Sequence, residues 1–240
     1  MLRMVFCRLT FFVLLLAGTL ASSPAVARAA PANPSDYGAF EISVAGKEIG
    51  VERFQILPSG NKIVAKAEIE FHTQTAGKTL ALHSFPQLIL DSQLRPLSYA
   101  WVQKGDQNSE LRIDFTTAPV KAHYHTVNDK DDHREFLLSK DVVVLDDNVL
   151  SQYEILVDRY DKTSRGPQIF RAFIPQEALP GQVSVVETGN EQVKIGGESE
   201  SLRHLVVTAD LAHIDLWADQ QGRLWRVSVP AMQFNAIRQK

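Results

Sequence analysis

DDNVLSQYEILVDRY, residues 146–160, is the one stretch beyond the amino-terminal 30 residues that reads as a long helix. Val149, Leu150, Tyr153, Leu156, Val157 and Tyr160 recur at the spacing of a single apolar stripe, within about 120° of arc. Ser151, Gln152, Glu154, Asp158 and Arg159 take the rest of the circumference. Asp146, Asp147 and Asn148 can each accept the free N–H groups of a first turn, and the acids suit its positive end. Nearly everything on either side reads as strand. A lone amphipathic helix among strands buries its stripe against a sheet or covers the mouth of one.

Upstream, Tyr37 to Ala45 and Glu48 to Leu57 flank Gly46-Lys47, a hairpin signal. In Lys62 to Thr75, Ile63, Ala65, Ala67, Ile69 and Phe71 alternate with Lys66, Glu68 and Glu70, the pattern of a half-buried strand. Thr79 to Leu90, Leu94 to Val102, Ser109 to Thr116 and Val120 to Val127 follow, then Arg134 to Leu138 and Val142 to Leu145. Downstream come Pro167 to Ile174, Gln182 to Thr188, Gln192 to Glu198, Arg203 to Ala209, Ala212 to Ala218, Arg223 to Val229 and Met232 to Ile237. Gly189-Asn190, Gly196-Gly197 and Gln221-Gly222 supply turns. About a dozen or more strands at this spacing, with one helix, predict a mainly β protein. The expected form is a curved antiparallel sheet or open half-barrel with the helix packed on or across it. A parallel β/α fold lacks the crossover helices it needs.

The first 29 residues read as a cleaved signal peptide. Arg3 and Arg8 precede a short apolar run, Leu9 to Leu20, and Ala27-Arg28-Ala29 offers the cleavage site. Residues 30–36 read as a flexible Pro- and Ala-rich start, and 37–240 as one β-rich domain. No later stretch reaches the 18 apolar residues of a transmembrane helix. The single cysteine, Cys7, lies inside the signal, so the mature chain has no disulfide or thiolate chemistry. Removing Arg3, Arg8 and Arg28 leaves 22 of the 25 basic residues against 28 acidic ones, a formal charge of −6. That balance argues against nucleic acid as a partner. The expected compartment is the periplasm or the exterior.

Few residues suggest chemistry. His123 and His125 form an H-x-H pair whose rings project from one strand face, with His133 across an acidic loop containing Asp129, Asp131 and Asp132. Those three histidines are weak candidates for a metal, and the expectation is that none is bound. Asp210, His213, Ser199 and Ser201 lie close in sequence without the motif of a nucleophilic triad. No cofactor motif is present. Trp101 and Trp217 join the aromatic residues spread over most strands. A curved sheet of this many strands encloses more volume than one helix fills, and such a surplus suits an apolar ligand. Val149, Tyr153, Leu156, Tyr160, Trp101 and Trp217 are therefore the expected ligand-binding residues.

The closing stretch, residues 203–240, carries Asp215, Leu216, Trp217 and Asp219, then Gly222 and a returning Arg226-Val227-Ser228-Val229-Pro230. With Pro96-Leu97-Ser98-Tyr99 and the early GKEIG of residues 46–50, this resembles the bacterial periplasmic DUF3108 and DUF6134 groups, domains of unknown function. The resemblance implies an architecture similar to the LolA/LolB lipoprotein carriers, whose open half-barrels fold around an apolar cavity. This chain departs from them in having one helix and no lipidated cysteine. The expected function is that of an exported, non-enzymatic protein, binding a lipophilic small molecule beneath a helical lid or serving cell-envelope maintenance. The alternative is an envelope scaffold with a self-filled core that presents an edge to a partner protein. An envelope hydrolase is a third class.

Overall fold

The computed structural model describes residues 35–240 apart from 76–77, 106–107, 127–129, 165 and 210–211. The expected signal peptide and most of the flexible start lie outside the described residues, as do Asn128, Asp129 and Asp210. In chain order the strands are β1 (Asp36–Val44), β2 (Lys47–Ser59), β3 (Lys62–Thr75), β4 (Lys78–Ser84), β5 (Gln87–Asp91), β6 (Pro96–Lys104), β7 (Ser109–Asp114), β8 (Val120–Thr126), β9 (Lys130–Phe136) and β10 (Val143–Val144). Helix α1 (Ser151–Arg159) follows, then β11 (Gln168–Ile174), β12 (Leu179–Ile195), β13 (Glu198–Ala209), β14 (Ala212–Ala218), β15 (Leu224–Val229) and β16 (Phe234–Arg238).

All sixteen strands join one sheet, and the expected mainly β architecture holds. Its path runs β10-β11-β12-β13-β14-β15-β16-β1-β2-β3-β4-β6-β7-β8-β9, with β5 bridging β3 and β6. The first and last strands of the chain pair side by side, Phe40 opposite Arg238 and Val44 opposite Phe234. Every pairing is antiparallel except β10 with β11. The two ends of the path, β9 and β10, are neighbours in sequence but are not paired, so the sheet is open along one seam. Side chains bridge it: the Phe136 ring of β9 lies 4.9 Å from Phe173 of β11.

The alternation read in residues 62–75 places Ile63, Ala65 and Ile69 inside, as does that of β2 for Phe54 and Ile56. Two expected strands are in fact one: residues 182–188 and 192–198 belong largely to β12, and Gly189 sits at a bulge rather than a turn. Its φ of 127° lies where a side chain is strained, which is why glycine reads as a turn there. Conversely, Thr79 to Leu90 breaks at Phe85-Pro86 into β4 and β5, since proline has no N–H for the ladder.

The helix departs most from its sequence reading. It starts at Ser151, and Val149 and Leu150 belong to the turn before it. Ile155, Leu156, Val157 and Tyr160 join the main core with Phe40, Phe54 and Phe173. Ser151, Gln152 and Glu154, on the side the pattern makes polar, are also buried. The helix packs on the curved sheet as expected, with residues on both of its sides buried. It occupies the concavity.

Candidate functional site

A helix packed among strands must have its polar groups satisfied there, and buried acids on and around it take part in this. Glu52 of β2 sits at an inward position between Gly50 and Phe54, fully buried. Its carboxylate accepts the N–H of Leu150 at 2.6 Å through Oε2 and that of Ser151 at 2.9 Å through Oε1. These are free donors of the first turn, capped from a strand 98 residues away. Burial pushes the Glu52 carboxyl up to about 7, against the pull of the Ser151 and Leu150 hydrogen bonds. The residue before the helix, Leu150, supplies no side-chain cap. Asp146 does not cap the helix as its position suggests: its carboxylate accepts the Tyr99 hydroxyl at 2.5 Å and the Gln176 N–H at 2.8 Å. Its own N–H donates to Gln152 Oε1 at 2.5 Å. Burial raises the Asp146 carboxyl to about 6.

On the helix's other side Glu154 accepts the Leu224 N–H at 3.0 Å and lies 3.4 Å from Arg238 Nη1. Arg238 donates to both oxygens of Asp36, at 2.6 and 2.7 Å, and to the Tyr37 carbonyl. Burial, and then Asp36, push the Glu154 carboxyl well above its ordinary value. Asp36 is held below its own: burial opposes this, but the Arg238 hydrogen bond and charge outweigh it. Gly38 makes the room, because a Cβ there would stand 2.9 Å from Arg238 Nε and Nη2. At the helix's carboxyl end the Tyr160 hydroxyl accepts the Glu187 N–H, and Glu187 grips the buried Arg203 through Nε and Nη2. Asp158 packs against Gly222, and burial raises its carboxyl to about 7.

The residues expected to bind a ligand divide between two places. Trp101, Leu156 and Tyr160 are buried in the main core, with Tyr153 packed half-buried against it and Val149 buried beside α1. Trp217 is on the opposite face, in a second cluster with Val193, Ile195 and Leu202. There His204 stacks on it at 4.8 Å and the Arg226 guanidinium lies 4.7 Å from its ring. His204 Nε2 is 2.8 Å from Asp215 Oδ1, and His213 Nε2 is 3.2 Å from the same oxygen. The Ser199 hydroxyl donates to Gln192 Oε1. Sequence reasoning passed over Glu52, Asp36 and Arg238. For Glu52 a signal was available: it is a charged residue in phase with Phe54 and Ile56.

A separate opening lies at the seam. A groove of about 510 Å³ runs between the end of β9 and the β10–β12 end of the sheet. Leu137, Leu138, Val142, Ala172 and Pro180 line it, with Arg171 among them. Leu137 is 94% exposed. Behind it, Phe136 and Phe115 pack on Phe173. The Arg159 guanidinium donates to the carbonyls of Asp141 and Val142, fixing the groove's wall to the helix.

No protein-family model matches this chain, and no curated protein does. Among solved structures it is similar to a DUF1089 family protein from Pseudomonas aeruginosa, with 10% identity and a TM-score of 0.46. That likeness covers 75% of this chain and 90% of the other. Of what the resemblance read from the sequence implies, the sheet's own topology shows the coarser part, a mainly β fold built on one open sheet. Among the described residues no helix is long and apolar enough to cross a membrane.

Proposed function

We propose that this is an exported, non-enzymatic protein of the cell envelope that binds a lipophilic small molecule, and that the ligand lies in the seam groove rather than beneath the helix. The observation that carries this reading is the groove itself: an open slot of mixed lining, with Leu137, Leu138, Val142 and Ala172 beside Ser139, Arg171 and Gln182, and an almost fully exposed leucine at its mouth. Its volume falls in the range of about 300–1,000 Å³ common for small-molecule sites. An acyl chain suits Leu137, Leu138, Val142 and Ala172, and Arg171 suits a carboxylate or phosphate head. The core does not favour the lid. Opening α1 would strip Glu52 and Glu154 of partners that compensate their burial.

The test is native mass spectrometry of the protein purified without detergent, with organic extraction of the same sample, beside the variant Leu137→Glu. The reading predicts a reproducible mass excess that extracts as an amphiphile and is lost in the variant. An apo mass that also stays unshifted on adding palmitate or phospholipid would overturn it.

A scaffold without a small ligand is the second reading. It is favoured by one observation: the concavity is filled by the protein's own helix and aromatic side chains. In that case the seam would receive a partner protein.

A further inference from the structure

The H-x-H pair is not used by the seam or by the seated helix. On β8 the alternation sends Val120 and Ala122 into the core, so His123 and His125 share the outer face. The register with β9 sets His133 directly opposite His123 and Asp131 directly opposite His125. On the other flank Glu110 of β7 stands opposite His125. Three antiparallel strands thus bring three imidazoles and two carboxylates onto one patch. The carboxylate of Asp131 is already the meeting point: its Oδ1 lies 2.9 Å from His123 Nε2 and 2.9 Å from His125 Nδ1. The His133 ring stacks on His123 at 4.4 Å, with the planes 9° apart.

We propose that His123, His125 and Asp131 form a binding site for a borderline transition-metal dication of the Zn2+ class. Two imidazoles and a carboxylate are the donor set that such ions take in preference to Ca2+ or Mg2+. Donor atoms coordinated to one tetrahedral ion at ~2.1 Å stand about 3.4 Å apart, so the two N···O separations of 2.9 Å must open and the two imidazole nitrogens flanking Asp131 must swing toward each other, which side chains this exposed can do. Three protein ligands leave a fourth position for water or an exogenous ligand. The three side chains are 39%, 41% and 56% exposed, so the ion can reach them without unfolding. A hollow of about 290 Å³ beside them, lined by His123, His133, Arg112, Lys121 and Asp114, gives that exogenous ligand room. Glu110 is engaged with Arg112 and is left outside the ligand set.

A different patch, Glu68, Glu70 and His83 on β3 and β4, gathers potential ligand atoms within 4.8 Å of one another, a closer grouping than that on β8 and β9. It offers one imidazole to two carboxylates, and Arg53 already holds Glu70 at 3.2 Å. The two patches therefore serve as each other's control.

The experiment is calorimetric titration of the untagged protein with Zn2+ at neutral pH, repeated with excess Mg2+. One equivalent should bind in both. His125→Ala and Asp131→Asn should each weaken it about 10–100-fold, and His83→Ala should leave it unchanged. Because the ion and protons compete for the imidazoles, the binding should weaken on acidification. Absence of saturable Zn2+ binding would overturn the proposal. So would binding indifferent to His125→Ala, or binding lost in His83→Ala.

Discussion

Glu52 shows how much one residue can carry. It sits at a position that the strand's alternation reserves for apolar side chains, and there it anchors a helix from another part of the chain. Replacing it by alanine leaves the N–H groups of Leu150 and Ser151 buried with no carboxylate to accept them. An unsatisfied buried donor costs about 1–3 kcal/mol, so Glu52→Ala should lower the urea midpoint clearly. An unchanged midpoint would mean that the helix start is held by something else. At this scale the sequence was only partly legible. Periodicity assigned the core residues of β2 and β3 well, because burial on one face leaves a period-two trace. It could not identify the partner of Glu52, since a pairing across 98 residues leaves no local pattern. Asp146 misled for the same reason: an acid just before a helix reads as a cap, but Tyr99 and Gln176 bind it. For His123, His125 and Asp131 the spacing and the acidic loop were visible, and only the strand register could join them.

At the scale of the element, α1 was found on the sheet as expected, starting two residues later than its apolar stripe, at Ser151. Its stripe of Leu156, Val157 and Tyr160 is in the core, as the spacing requires. Its polar residues did not signal a watered face, because a sheet curved round the helix brings its own polar groups to meet them. The acids around it give the seat a pH dependence. The carboxyls of Glu52 and Asp158 are raised to about 7 and that of Asp146 to about 6, from ordinary values of 4.5, 3.8 and 3.8. In that window the folded protein holds protons that the unfolded chain releases. The stabilisation is therefore fully present below the unfolded values and is lost as pH rises through the folded ones. Asp36 runs the other way, losing its contribution only as pH falls below its lowered value. The urea midpoint should accordingly be higher at pH 5 than at pH 8. Glu52→Gln, which mimics the protonated acid, should narrow the gap. A midpoint that rises from pH 5 to pH 8 would contradict the buried-acid account.

The described residues form a sheet whose first and last strands pair with each other and whose path ends do not. The mainly β, antiparallel character was legible, because turn residues punctuate the chain at short intervals, while about a dozen strands were expected and sixteen are present among the described residues. The location of the opening was not legible, since which edges remain unpaired depends on the full path from β10 to β9. That location separates a ligand taken at the seam from one taken under a lid. Hydrogen–deuterium exchange with and without palmitate tests the distinction most directly. The account predicts that residues 137–142, 168–172 and 180–182 gain protection when palmitate binds, and that residues 151–159 are already protected and unchanged. Protection gained chiefly along 151–159, with none at the seam, would contradict it.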